Sequence, residues 1–329
     1  LRQIINLPVK DNSIMSQESH KDKILGCIKS VLPSTTKTCI WLLKITVGVS
    51  FAIMFLKYFG ILPWISEFLS PVFNIIGLPG EAALPFVTGY FVNVYAAISV
   101  AVSFDFDFRA LTILGTMVLS AHNMITETAV QKKTGTSAVR IVVIRTVSAF
   151  TLAFFLNKIL PGSAVAALQG SVVEDVEFKV LFREWLVSTA GVVCKMTVLI
   201  YSLAILQRIL SEYGVIRWIS KFLKYPLALF GLPARTSFLW IVANTLGLAY
   251  GAAVMIEEVE AGRVNARDVN LLNSHIAISH SNLEDLLLLT ALGASWYVML
   301  LSRWAGSFLL VWELRAEYYI KDTLFKKKC

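Results

Sequence analysis

Seven apolar runs recur along this 329-residue chain, at 39 to 58, 82 to 102, 110 to 130, 140 to 160, 188 to 207, 236 to 256 and 293 to 313. Each is close to the ~20 residues a helix needs to cross a ~30 Å hydrocarbon core. Because a lipid interior cannot satisfy open backbone groups, the runs predict an all-α, polytopic integral membrane protein and exclude a soluble one. The charged fraction agrees: 16%, against roughly a quarter in ordinary soluble domains. The first run begins too far into the chain, and lacks the flanks, to be a cleaved signal peptide. The net charge of +8 comes largely from Lys and Arg beside apolar runs, where they set orientation and meet anionic lipid. The lipid bilayer is thus the expected partner, and nucleic acid is not.

The chain is duplicated. Residues 61 to 79, ILPWISEFLSPVFNIIGLP, align without a gap on 215 to 233, VIRWISKFLKYPLALFGLP. The constant offset of 154 pairs Trp64 with Trp218, Phe68 with Phe222, and Gly77-Leu78-Pro79 with Gly231-Leu232-Pro233. Such identity at a fixed period marks an internal repeat. The division that follows is a cytoplasmic tail over 1 to 38, a first repeat over 39 to 160, an external linker over 161 to 187, a second repeat over 188 to 313, and a cytoplasmic tail over 314 to 329.

Charge placement fixes the relation between the halves. Lys21, Lys23, Lys29 and Lys37, then Lys132, Lys133, Arg140 and Arg145, then Arg208, Arg217, Lys221 and Lys224, and finally Lys326 to Lys328 all read as cytoplasmic by the positive-inside rule. Each half then makes three net crossings although it holds more apolar segments than that. One segment per half must turn back, and the odd number of crossings inverts the second half relative to the first, the construction found in secondary transporters. Two choices remain for the non-crossing element. Either 61 to 101 and 215 to 256 form a re-entrant hairpin with Gly-Leu-Pro at its tip, or 110 to 130 and 268 to 290 are re-entrant and the Trp segments lie on the interface, with Trp64 and Trp218 as anchors.

Polar groups inside apolar runs are costly and mark candidate sites. In the first half these are Ser120, His122, Asn123, Thr126 and Glu127; in the second, Asn273, Ser274, His275, Ser279, His280, Ser281, Asn282, Glu284 and Asp285. Aligning Ser-x-His-Asn with Ser-His-x-Asn, each followed by Glu, singles out His122, Asn123, Glu127, His280, Asn282 and Glu284 as solute-binding or proton-binding residues, with Asn93 and Asn244 as further candidates. Glu81 and Arg235 are equivalent by the 154 offset and are expected to pair as a gate between the halves. Cys27, Cys39, Cys194 and Cys329 have no metal-ligand spacing, and no segment carries a helical HxxxH with an acid, so no metal site is expected. There is no nucleophile motif, which argues against an enzyme.

With GLPGEAALPFVTGYFVNVYAA at 77 to 97 and the later His/Asn segment, both duplicated, the chain resembles the nucleoside-recognition, or Gate, domain family. That family includes gate regions of ferrous-iron transporters and the spore maturation proteins A and B, with concentrative nucleoside transporters as distant relatives. No GxxxxGK[ST] loop is present, so the iron transporter's GTPase domain has no counterpart here. The resemblance implies a transporter or permease for a small polar or charged solute, nucleoside-like or ionic, working by alternating access in a bacterial cytoplasmic membrane. Any driving force is expected from an H+ or Na+ gradient and not from a bound cofactor. The paired spore maturation proteins imply the alternative, a membrane scaffold acting with a second Gate-domain protein or a second copy of the chain.

Overall fold

The computed structural model describes residues 20 to 162, 177 to 245 and 247 to 326. Among them there is no strand. The first repeat comprises α1 (His20–Tyr58), α2 (Ile61–Ile75), α3 (Ala83–Phe91), α4 (Val94–Ala101), α5 (Phe108–Ala121), α6 (Met124–Lys133) and α7 (Ala138–Ile159). The second comprises α8 (Phe178–Glu212), α9 (Val215–Leu229), α10 (Ser237–Thr245), α11 (Gly247–Glu260), α12 (Ala266–Ile278), α13 (Glu284–Ala291) and α14 (Trp296–Lys326).

Among the described residues, three helices are long and apolar enough to cross a membrane without a break: the stretch Asp22–Tyr58 of α1, α7, and Phe178–Leu210 of α8. The runs at 82 to 102, 110 to 130 and 236 to 256 are not continuous spans; each is cut into two short helices. The run at 293 to 313 lies in one helix, α14, from Trp296 onward. The helices extend past the apolar runs into both tails, since α1 already begins at His20 and α14 continues to Lys326. Their charged ends carry good helix formers, which prolong each helix past its apolar run. Most of the linker, 163 to 176, lies outside the described residues.

The interruptions have local causes. In each half the Gly of Gly-Leu-Pro ends the Trp-bearing helix in a left-handed conformation, Gly77 at φ 71° and Gly231 at φ 75°. Leu78 N donates to Phe73 O at 3.0 Å and Leu232 N to Leu227 O at 2.9 Å, the six-to-one bond of a Schellman stop. The chain then bends by 92° between Trp64–Ile75 and Gly80–Phe91. Gly80 allows this because a Cβ there would sit 2.0 Å from the Ser66 carbonyl oxygen.

After the bend, α3 packs back on α4 and α10 on α11. These helical hairpins are the elements expected to be re-entrant, and their tip is not the expected one. The turn falls at Val92 and Asn93, with Asn93 capping α4 by accepting from Ala96 N at 2.9 Å; Gly-Leu-Pro is the entry to the hairpin. The Trp helices are separate elements with outward apolar faces. Trp64 is 70% and Trp218 62% exposed, joined by Phe68, Phe222 and Tyr225, faces suited to lipid and not to water.

The inversion can be read from packing. Helices α1 and α8 open their respective repeats and lie side by side. Thr36 meets Tyr201 at 2.7 Å, Ser50 meets Thr189 at 3.2 Å, and Phe55 meets Phe178 with ring centroids 6.1 Å apart. One number rises as the other falls, so equivalent helices run antiparallel. At the centre, α5, α7, α12 and α14 all pack on one another, which places the second half of each repeat against the other.

Candidate functional site

Helices α5 and α12 start on equivalent caps 158 residues apart: Asp107 accepts from Ala110 N at 2.7 Å, and Asn265 from Asp268 N at 2.8 Å. Both then stop in the middle of an apolar run. The stop is a single residue in the left-handed region, Asn123 in one half and Ser281 in the other, each at φ 49°. A non-glycine residue held there costs of order 1 kcal/mol and persists only where its surroundings fix it. Here the helical hairpins do so. Asn123 N donates to Gly89 O at 2.9 Å and Ser281 N to Ala243 O at 3.2 Å, with Gly89 and Ala243 equivalent by the 154 offset. The duplication thus persists to single backbone bonds.

An unwound helix end leaves carbonyls without partners, which is costly away from water. A buried arginine from the last helix of each repeat satisfies them. Arg145 donates through Nε to Ser120 O at 3.1 Å and through Nη2 to His122 O at 2.6 Å. Arg303 donates through Nε to Ile278 O at 2.8 Å and through Nη2 to His280 O at 2.6 Å. Its Nη1 also reaches Asn282 Oδ1 at 3.0 Å. Both side chains are fully buried.

The two breaks meet. His122 and His280, also 158 apart, have ring centroids 4.9 Å apart. His280 Nε2 is 3.0 Å from Glu127 Oε2, and His122 Nε2 is 3.4 Å from Glu127 Oε1 and 3.1 Å from Asp285 Oδ2. Arg145 Nη2 approaches Glu127 Oε2 at 2.8 Å. The approaches of Arg145 and His280 to that oxygen are electrostatic, since neither has hydrogen-bond alignment. His122, Glu127, Asp285 and His280 are all buried. The carboxylates sit in the first turns of α6 and α13, where helix dipoles favour anions, and the arginines face the carbonyl ends of α5 and α12.

The expected site residues divide accordingly. His122, Glu127 and His280 converge. Asn282 joins their border, donating to Asn244 Oδ1 at 2.5 Å while Asn244 donates to Trp240 O at 2.8 Å. Asn123 contributes its backbone, and Asn93 caps a hairpin tip. Glu284 is displaced from the cluster, its carboxylate taking a hydrogen bond from Tyr95 of the first hairpin. Its neighbour Asp285, 158 residues after Glu127, takes the equivalent place. The expected Glu81–Arg235 pair is not formed: Arg235 pairs with Asp268 at the start of α12, and among the described residues Glu81 has no ion-pair partner. His275 belongs to the core, accepting from Trp240 Nε1 at 3.2 Å. Arg145 is corrected from a loop charge to a core residue. It and Arg303 were missed as site residues, yet a signal existed, because Arg145 and Phe150 align with Arg303 and Phe308 at the 158 offset.

Residues 39 to 161 match the Gate family, described as nucleoside recognition. The uncharacterized membrane protein YvoD of Bacillus subtilis is 30% identical over 276 residues, covering 81% of this chain and 87% of that protein. No solved structure matches. Covered over most of its length by such a relative, and carrying the Gate match across its first repeat, the chain belongs to the Gate, or nucleoside-recognition, family of membrane proteins.

Proposed function

We propose that the protein is a transporter or permease for a small charged solute, working by alternating access between its two inverted repeats. One observation carries this reading: two broken helices, one from each repeat, abut at their breaks and place His122, Glu127, His280 and Asp285 in one buried cluster. Ionisable groups inside a membrane are expensive and are kept chiefly along solute or ion paths. Discontinuous helices offer a solute both dipole ends and side chains at the midplane, with little reorganisation. Re-entrant hairpins docked on each break by a single backbone bond supply elements that can separate without unfolding the spanning helices. The family's description adds nucleosides to the solutes to be tried.

In the proposed cycle the cluster forms the closed contact between repeats, and a solute binds after one hairpin and its break part from the other half. Uptake into proteoliposomes from a panel of nucleosides, organic anions and inorganic cations tests this reading. At least one solute should be accumulated or exchanged by the wild type and not by His280→Gln. A correctly folded wild type that moves none of them, with and without H+ or Na+ gradients, would overturn it.

A further inference from the structure

The hydrogen bonds of the two histidines decide which way their lone pairs point. His122 Nδ1 lies 3.1 Å from Val118 O, and His280 Nδ1 lies 2.7 Å from Ile276 O. A carbonyl oxygen only accepts, so each Nδ1 carries the hydrogen and the neutral ring presents a bare Nε2 lone pair. Both Nε2 atoms face Glu127, one on each carboxylate oxygen, at 3.4 and 3.0 Å. The carboxylate is also an acceptor. Both Nε2 atoms and the Glu127 and Asp285 carboxylates therefore converge, with Arg145 Nη2 2.8 Å from Glu127 Oε2 as the guanidinium at their edge, and a cation between the two rings and Glu127 would take up the lone pairs that face one another.

The spacing fits a metal ion. The donor atoms of His122, Glu127 and His280 all lie within 4.8 Å of one another. Around an ion with bonds of about 2.0–2.2 Å, tetrahedral ligand atoms stand roughly 3.4 Å apart, so little movement is needed. The outer contacts fit as well, since a ring whose second nitrogen donates to a carbonyl is held in tautomer and orientation for ligation. Two imidazoles and one carboxylate suit zinc, cobalt or iron(II) better than magnesium or calcium, which prefer all-oxygen sets. Glu127 and Asp285 offset Arg145 and Arg303, so the ion would meet a cluster of no net charge and be held by coordination bonds.

We propose that His122, Glu127 and His280 form a divalent transition-metal site that joins the two repeats. The site consists of two ligands from the first broken helix and one from the second, so binding couples the halves directly. This inference concerns binding and does not rest on the transport reading.

Purified protein in detergent, stripped with chelator, would be titrated with Co2+ and followed by visible absorption. The expected result is one Co2+ per chain with intense tetrahedral bands, displaced by Zn2+, and a thermal midpoint raised by Zn2+. In His280→Gln, which removes a ligand without changing the charge of the neutral ring's site, Co2+ affinity should fall at least tenfold and the Zn2+ shift should vanish. Glu127→Gln should behave alike; if it does not fold, His280→Gln carries the test. A folded wild type without Co2+ bands, or equal binding by wild type and His280→Gln, overturns the proposal. Binding without uptake of the metal or of any solute leaves the site standing and counts against transport alone.

Discussion

Replacing Arg303 by Met removes three charge-assisted hydrogen bonds to buried acceptors, Ile278 O, His280 O and Asn282 Oδ1, at 2.8, 2.6 and 3.0 Å. Each such bond contributes about 1.5–3 kcal/mol, for a gross loss of about 5–9 kcal/mol. Relaxation of the break and entry of water recover part of it. Breaking a buried charge network in other proteins costs about 3–5 kcal/mol, and that is the net loss expected here. Met fills much of the vacated volume, so the loss reports on polarity and not on a cavity. At roughly 2–4 °C per kcal/mol for chains of moderate length, the midpoint in detergent should fall by about 6–20 °C, read from exposure of buried thiols. Arg303→Lys should recover only a minor part, since an ammonium cannot span three acceptors in one plane. Arg263→Met is the control: this arginine is exposed and pairs with Glu258 at 2.8 Å, and its loss should leave the midpoint unchanged. A midpoint for Arg303→Met within 2 °C of wild type, a bound set by the ~2–4 °C per kcal/mol scale, would refute the view that the buried arginines hold the breaks open.

Ser281→Gly should be neutral or stabilising by up to about 1 kcal/mol and Ser281→Val destabilising by about 1–2 kcal/mol, because φ is 49° there and only glycine adopts it freely; equal midpoints for the two variants would contradict the left-handed break. Gly80→Ala should cost about 1–3 kcal/mol through overpacking against the Ser66 carbonyl, measured as a lowered detergent midpoint, and a wild-type value would remove Gly80 from the bend. Single cysteines in a Cys-free background at Asp105 and Arg263, in the loops that precede the equivalent helices α5 and α12, should be labelled by an impermeant thiol reagent from opposite sides of the membrane; labelling from one side by both would refute inversion.

Much of this architecture was legible in the sequence, for identifiable reasons. The apolar runs and the Trp…Gly-Leu-Pro duplication located both repeats, and an odd crossing number implied the antiparallel arrangement seen between α1 and α8. What hydropathy could not resolve was where a run breaks. Val92-Asn93 and His122-Asn123 lie within apolar stretches, and the left-handed residues that end the helices are Asn and Ser, not the Gly that normally signals such a turn. The site was half visible. His122, His280 and Glu127 stand out as polar residues in apolar segments, but chemical identity points to Glu284 where spacing points to Asp285. At the 158 offset the partner of Glu127 is an Asp. Arg145 was hidden by its neighbours, because Lys132, Lys133 and Arg140 made it look like one more loop charge. The metal-type convergence was unreadable locally, since its ligands come from helices of different repeats.

The central claim is that the two breaks form one shared site. It is tested most directly by joining them. His122→Cys and His280→Cys would be combined in a background lacking Cys27, Cys39, Cys194 and Cys329, with a protease site placed in the 163 to 176 segment. With ring centroids 4.9 Å apart in the native pair, a mercuric ion or a short bifunctional thiol reagent should bridge the two cysteines in membranes. After proteolysis the double variant should then run as one full-length band, while either single variant separates into two halves. Complete separation of the double variant, in protein whose folding is verified by its elution from size exclusion, would contradict the shared site.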